Sequence, residues 1–275
     1  MATVTKAIIP VAGWGTRRLP ITKAIEKCML PVGNRPIVDY VVRDCIKAGI
    51  SDIIFVVNKG STQLQQYYTD NQALNDYLIE VQKQDMLDLA HPPRNVAFHF
   101  VEQNSNGKYG TTIPVALVVP HIKKGESVLV AMGDDFVYNA DGSSDLANLV
   151  HAVPEGGCGM LSSTVPQDQV SRYGVIDFDE ETGGFLRIVE KPSVEQAPSN
   201  QINISKYVFN YDMLVRIANH AQLEISGEYQ ITDPISQAVL DNVVVTVVPS
   251  KGEFLDCGNV HGWLHANNLI VEHQR

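Results

Sequence analysis

Gly13-Trp14-Gly15-Thr16-Arg17-Arg18-Leu19-Pro20 follows directly on a β-branched run at residues 6–12. Glycines at the carboxyl end of a strand let backbone N–H groups approach a phosphate or a base, because no Cβ stands in the way. The same loop gathers Arg17, Arg18, Lys23 and Lys27. A polyphosphate uses both kinds of cation, arginine for planar bidentate contacts and lysine as a point charge. A plain glycine turn and a solvated basic loop are the competing readings, and the adjacency of the two features favours phosphate. A dinucleotide fingerprint needs a third glycine and an unbroken helix; here the glycine is missing and Pro20 interrupts, so an NAD-dependent dehydrogenase is set aside.

Gly133-Asp134-Asp135 closes another β-like run at 127–132. Carboxylates at the carboxyl edge of a parallel sheet lie where open α/β folds bind ligands. Asp oxygens also suit a Mg²⁺ ion that holds substrate phosphates, although an Asp-rich turn is as plain a reading. Glu190-Lys191-Pro192 and Asp256-Cys257-Gly258-Asn259 add a second candidate metal carboxylate, another phosphate-binding lysine and a glutamate able to bond hydroxyl groups.

These segments need a scaffold, and the hydropathy pattern predicts one. Strands at 6–12, 53–57, 96–101 and 127–132 alternate with helices at 35–49 and 115–119, the pattern of a mostly parallel, Rossmann-like sheet flanked by helices. Ser61 is expected to cap a largely polar stretch through 86 that reads as one or two helices. The second half is more antiparallel: strands at 173–178 and 185–189 flank a turn at 181–184, helices follow at 211–220 and 231–240, then a strand at 243–248 and a helix from about Gly262. The expectation is one α/β domain over 1–275 with a small antiparallel insertion: a nucleotide-binding part to about 135, a sugar-phosphate part at about 136–260 and a terminal helix at 261–275.

Composition narrows the partners. With 44% hydrophobic and 19% charged residues the chain can bury a large core. Lys+Arg 21 against Asp+Glu 31 gives a net charge of −10, so the chain lacks the general attraction that polymeric nucleic acid requires. Cys28, Cys45, Cys158 and Cys257 are widely separated and read as buried thiols of a reducing compartment. Cys28, beside Lys27, is also a candidate for a lowered thiol pKa and redox sensitivity. His99, His121, His151 and His261 have no metal-like spacing, and Trp14 and Trp263 read as packing residues. No targeting segment and no apolar stretch near about 18 residues is present, so a cytoplasmic protein without a membrane partner is expected.

Several of these stretches together carry a resemblance. Residues 10–17 (Pro-Val-Ala-Gly-Trp-Gly-Thr-Arg), Thr22-Lys23-Ala24-Ile25, Met29-Leu30-Pro31, Gly133-Asp134-Asp135, Tyr173-Gly174-Val175, Glu190-Lys191-Pro192, Gln230-Ile231-Thr232-Asp233 and Asp256-Cys257-Gly258-Asn259 occur in the order found in sugar-nucleotide pyrophosphorylases. Within these nucleotidyltransferases the chain is most similar to the bacterial UTP–glucose-1-phosphate uridylyltransferase family. The resemblance implies that Ala12, Gly13 and Gln103 read uracil, with Gly15 and Gly110 against the nucleotide. Arg17 and Lys27 would bind the triphosphate and Asp134 and Asp256 would hold Mg²⁺. Gly174 would lie under the sugar ring, Glu190 would contact its hydroxyls and Lys191 its phosphate. The implied reaction converts UTP and glucose 1-phosphate to UDP-glucose and pyrophosphate, and homo-oligomerisation is left open.

Two stretches depart from the family. Its common KxxPKEMLP is here Lys23-Ala24-Ile25-Glu26-Lys27-Cys28-Met29-Leu30-Pro31, and its KGLGHA is Gly107-Lys108-Tyr109-Gly110-Thr111-Thr112, with the spacing from Gln103 to Gly110 kept. The alternatives are therefore the same fold using dTTP or another sugar 1-phosphate, and a non-catalytic regulatory paralogue.

Overall fold

Lys6–Pro10 is the innermost strand because its apolar residues alternate between two cores. Ala7 and Ile9 join one cluster and Ile8 the other, all fully buried, as period-2 geometry requires when both faces are covered. The computed structural model describes residues 4–104 and 106–273. Its strands, in chain order, are β1 (Lys6–Pro10), β2 (Pro31–Val32), β3 (Arg35–Pro36), β4 (Asp52–Asn58), β5 (Ala97–Gln103), β6 (Ser127–Ala131), β7 (Asp135–Tyr138), β8 (Cys158–Thr164), β9 (Gly174–Phe178), β10 (Phe185–Glu190), β11 (Gln201–Asn210), β12 (Val245–Pro249) and β13 (Glu253–Asp256). The helices are α1 (Ile37–Lys47), α2 (Gln63–Tyr67), α3 (Gln72–Glu80), α4 (Leu87–Ala90), α5 (Thr112–Val118), α6 (Asp145–Ala152), α7 (Tyr211–Gln222), α8 (Thr232–Leu240) and α9 (Val260–His273).

Among the described residues one mixed sheet runs β10-β9-β11-β6-β1-β4-β5, with β8 paired to β11 and β12. The stretch β6-β1-β4-β5 is parallel, as the alternating sequence predicts. Helix α1 covers one face through Ile37, Val38, Val41, Val42 and Cys45, while α5, α7 and α8 cover the other. Two small antiparallel pairs lie outside this sheet, β2–β3 and β7–β13.

Sequence patterning misses α6, β7, β8, β11 and β13. β11 is the largest omission, since it pairs antiparallel with β6, β8 and β9 and so joins the two halves of the sheet. Its register shifts between Asn203 and Tyr207, with Ser205 in the left-handed region at φ 55°; a bulge of this kind breaks the period-2 signal. Ser61 is not the helix cap predicted for it. Its hydroxyl turns away to donate to Glu26 at 2.8 Å, and the N-cap of α2 is Thr62, without a side-chain bond. The terminal helix begins at Val260, and residues 274–275 of its predicted span lie outside the described residues.

Asp145 joins β13 to the body. This fully buried carboxylate accepts from the backbone N–H groups of Lys251 and Gly252 at 3.0 Å each and from Asn139 Nδ2 at 3.1 Å. A buried charge is tolerable only when donors saturate it in this way.

Candidate active site

The parallel strands β1, β5 and β6 carry Ala12, Gly13, Gln103 and Asp134 to one edge. β1 ends into Ala12, which is buried, and Gly13, whose missing Cβ would meet nothing within 4 Å. Nothing in the protein itself therefore requires glycine at 13, and the open space lies where a ligand would approach. Gln103 closes β5 in register with Asn58 of β4. Gly15 has a different reason: at φ 64° its Cβ would stand 2.9 Å from Thr22 Cγ2 and 3.0 Å from Lys27 Cβ. It sets the turn and the close packing of the loop.

Gly110 too is dictated by the fold. Its φ is 124° and a Cβ would run into the backbone of Tyr229, where Tyr229 N–H donates to the Tyr109 carbonyl at 2.9 Å and Thr112 N–H to the Tyr229 carbonyl at 3.0 Å. Beside it Lys108 donates to the carbonyls of Ala221 and Leu223 at 3.1 and 3.0 Å, satisfying the end of α7. Gly110→Ala is expected to cost ~1–3 kcal/mol from backbone strain alone, read as a lower urea midpoint; an unchanged midpoint would contradict this account.

The cations divide. Arg17 and Lys23 are exposed, but Arg18 is buried, donating to the carbonyls of Asn259 at 2.8 Å and Cys257 at 3.4 Å. Its guanidinium lies 4.8 Å from the Trp263 ring centroid. Arg18 therefore fastens α9 to the loop: its side chain is buried and its Nη1 is taken by two protein carbonyls, which sets it apart from the exposed cations. Trp263 is a packing residue as predicted, also donating to the Pro31 carbonyl at 2.7 Å; Trp14 is not, being 75% exposed. Cys28 is buried, and burial first, then Glu26 and Asp134, push its thiol well up. Redox sensitivity is thereby overturned: desolvation outweighs Lys27.

Lys27 Nζ reaches Asp134 Oδ2 in an ion pair. Burial pushes the Asp134 carboxyl up, but Lys27, Lys206 and Arg17 together overcome it and hold the group below the usual carboxylate range. Asp256 comes to the same place because β7 and β13 pair with Asp135 opposite Asp256. Gly258 marks the convergence: its Cβ position lies 2.8 Å from Asp256 Oδ1, 3.6 Å from Arg17 Nη2 and 3.8 Å from Lys27 Nζ. Asp256 is oriented by Gly258 N–H at 2.8 Å on Oδ1, and on Oδ2 by Asn259 Nδ2 at 3.2 Å and by Arg172 and the Tyr173 hydroxyl at 3.4 Å each. Among the described residues no group of three His, Cys, Asp or Glu side chains stands together as a metal cage. The two carboxylates fit an ion such as Mg²⁺, which takes one or two protein carboxylates and completes its shell with water and substrate phosphate.

The hairpin β9–β10 brings up the remaining residues. Gly174 pairs with Glu190, and its Cβ position is 3.1 Å from Glu190 Oε1, which accepts from the Thr232 hydroxyl at 2.7 Å. Lys191 is held at φ 46°, an uncommon conformation for a non-glycine residue, while its N–H donates to the Tyr173 carbonyl at 3.0 Å. Tyr173 thus links the hairpin to Asp256.

Lys206 on β11 was missed. It is 2% exposed, ion-paired to Asp135 and donates to the Met132 carbonyl at 3.2 Å. Burial raises the Asp135 carboxyl, and Lys206 opposes that rise. A lysine immediately before the apolar residues Tyr207, Val208 and Phe209 was the available signal, since a buried lysine almost always has a partner.

Carboxylates, cations and open glycine backbone at the carboxyl ends of parallel strands define an α/β protein built to hold a phosphorylated ligand. The chain belongs to the nucleotidyl transferase family, whose sequence profile matches residues 6–273. A UTP–glucose-1-phosphate uridylyltransferase of Haemophilus ducreyi is 32% identical, the alignment covering 95% of this chain and 91% of that protein. A solved UTP-bound enzyme of the same kind from Acinetobacter baumannii superposes with a TM-score of 0.86 at 29% identity, covering 98% of this chain and 93% of that one. A UDP-glucose pyrophosphorylase complexed with UDP-glucose gives 0.82 at 27%, covering 99% and 100%. No helix among the described residues is long and apolar enough to cross a membrane.

Proposed function

We propose that this protein is a UTP–glucose-1-phosphate uridylyltransferase, transferring the uridylyl group of UTP to glucose 1-phosphate with release of pyrophosphate. The observation that carries the reading is the convergence of Arg17, Lys27, Asp134 and Asp256 around Gly258, in a chain similar over nearly its whole length to enzymes of that name. Residues up to about 135 take the nucleotide, with Ala12, Gly13 and Gln103 at the base and Gly15 and Gly110 shaping the loops around it. Residues at about 136–260 take the sugar phosphate through Gly174, Glu190 and Lys191.

A phosphate monoester has its second pKa near about 6, so the attacking phosphate is already largely dianionic and needs no strong base. Its oxygen forms a bond to the α-phosphorus of UTP as the bond to pyrophosphate breaks, the electron pair leaving with pyrophosphate. Catalysis is alignment plus charge neutralisation. Arg17 and Lys27 face the triphosphate, and Lys191 holds the sugar phosphate, so cations from two segments bring two anions together. Mg²⁺ held by Asp134 and Asp256 would neutralise charge on the phosphates.

The test is pyrophosphate release with Mg²⁺ and glucose 1-phosphate, comparing UTP with dTTP, ATP, CTP and GTP, then varying the sugar phosphate. Fastest release with UTP and glucose 1-phosphate supports the proposal; a different best pair moves the specificity, and no release with any pair overturns catalysis in favour of a regulatory paralogue. Arg17→Ala is expected to lower turnover about 10²–10³-fold while the circular dichroism spectrum is kept, because the side chain is exposed. Unchanged turnover would remove Arg17 from the mechanism.

A further inference from the structure

The phosphate loop is anchored to the segment that follows β4 by four hydrogen bonds, three of which involve Glu26. Glu26 Oε2 accepts from the Ser61 hydroxyl at 2.8 Å and its Oε1 from the Gln63 backbone N–H at 3.3 Å. In return Gln63 Oε1 accepts from the Glu26 N–H at 3.0 Å, and Gln63 Nε2 donates to the Ala24 carbonyl at 2.8 Å. The pattern is reciprocal, each residue supplying the other's backbone with a side-chain partner. On the far side the Glu26 carbonyl accepts from Met29 N–H at 2.8 Å, so the backbone on both sides of Lys27 is fixed. The Thr22 hydroxyl bonds the Gly15 carbonyl at 2.9 Å, tying the same loop to the glycine turn.

We propose that Glu26 is a positioning residue for Lys27: with Ser61 and Gln63 it holds the loop so that the Lys27 ammonium stands ready at Asp134 before the nucleotide arrives. The proposal rests on the reading that Lys27 binds the triphosphate. Preorganisation of this kind is felt as nucleotide affinity, since a loose loop must be ordered on binding. Glu26 sits at φ −58°, a value proline also adopts. Proline there would supply rigidity through the ring, whereas this chain supplies it through hydrogen bonds.

Glu26→Ala, Glu26→Gln, Glu26→Pro and Lys27→Ala are to be compared by steady-state kinetics and by amide hydrogen exchange over residues 21–30. The expected result for Glu26→Ala is a KM for UTP raised about tenfold, the equivalent of one charged hydrogen bond. Its KM for glucose 1-phosphate should stay within about twofold, and protection of the loop amides should fall. Glu26→Gln, whose amide oxygen can still accept from the Gln63 N–H while its NH2 donates to the Ser61 hydroxyl in a reversed bond, should restore most of both. Glu26→Pro should bring the KM back toward the parent value through the ring's rigidity, although it removes the acceptors for Ser61 and Gln63 and the N–H that donates to Gln63 Oε1.

A lower melting temperature for Glu26→Ala with unchanged KM for UTP overturns the positioning role, because a merely structural residue behaves in that way. Unchanged loop protection also overturns it. If Lys27→Ala leaves the KM for UTP and the turnover intact, the triphosphate reading of Lys27 fails and the positioning role with it, whereas the exchange data still decide whether the four bonds hold the loop.

Discussion

Asp134→Asn should lower pyrophosphate release at least about a thousandfold while leaving the fold intact. The substitution keeps the size of the side chain and an oxygen for Lys27, but removes the negative charge that Lys27, Arg17 and Lys206 sustain. A neutral amide is a poor ligand for a hard divalent cation, and in the proposed mechanism losing that ion would remove several kcal/mol of transition-state charge stabilisation. The decisive comparison is single-turnover release beside a thermal unfolding curve. A variant that keeps more than about a tenth of the parent rate would take Asp134 out of the metal-holding role, whatever its stability.

Lys206→Met should be the most destabilising of the substitutions considered, by ~3–5 kcal/mol, because it takes the ion-pair partner from the partly buried Asp135 carboxyl, which burial already raises. Lys206 is 2% exposed and also donates to the Met132 carbonyl, so its loss leaves an acceptor unsatisfied as well. Asp135→Asn combined with Lys206→Met should cost less than the sum of the two singles, since the double variant leaves no lone charge. Urea midpoints of the four proteins measure this. A Lys206→Met midpoint within about 1 kcal/mol of the parent would mean that water reaches the pair and that it is not a structural element.

Most of the candidate site is local in sequence, which is why it could be read there. Gly13 and Arg17 sit in one turn, Asp134 ends a strand, Glu190 and Lys191 end another, and each carries its chemistry in its type and its place after an apolar run. What escaped depends on partners far along the chain. Lys206 gains its meaning from Asp135, 71 residues away, and β11 from a bulge that moves its apolar residues off the expected alternation. Arg17 and Arg18 are adjacent and chemically identical, yet one is exposed and the other is spent on Asn259 and Trp263. Adjacent side chains on a short turn point apart, and only the packing of α9 decides which is covered. Cys28 shows the same limit: a neighbouring lysine suggests a reactive thiol, but burial decides its ionisation.

The stitching of α9 has a consequence for how the protein is made. Arg18 donates to the carbonyls of Cys257 and Asn259 just before α9, Trp263 bonds Pro31, and Asn267 accepts from Gly33 N–H at 3.0 Å. The loop after β1 leaves the ribosome well before the residues that support it, Arg18 and Asn259 lying 241 residues apart in the chain. Domains tend to fold as they emerge, but here this loop must wait for residues 256–273 before it is complete. A nascent chain halted before that point would own a nearly finished sheet and an unfinished nucleotide loop, so binding competence should arise late in translation, well after the sheet has formed.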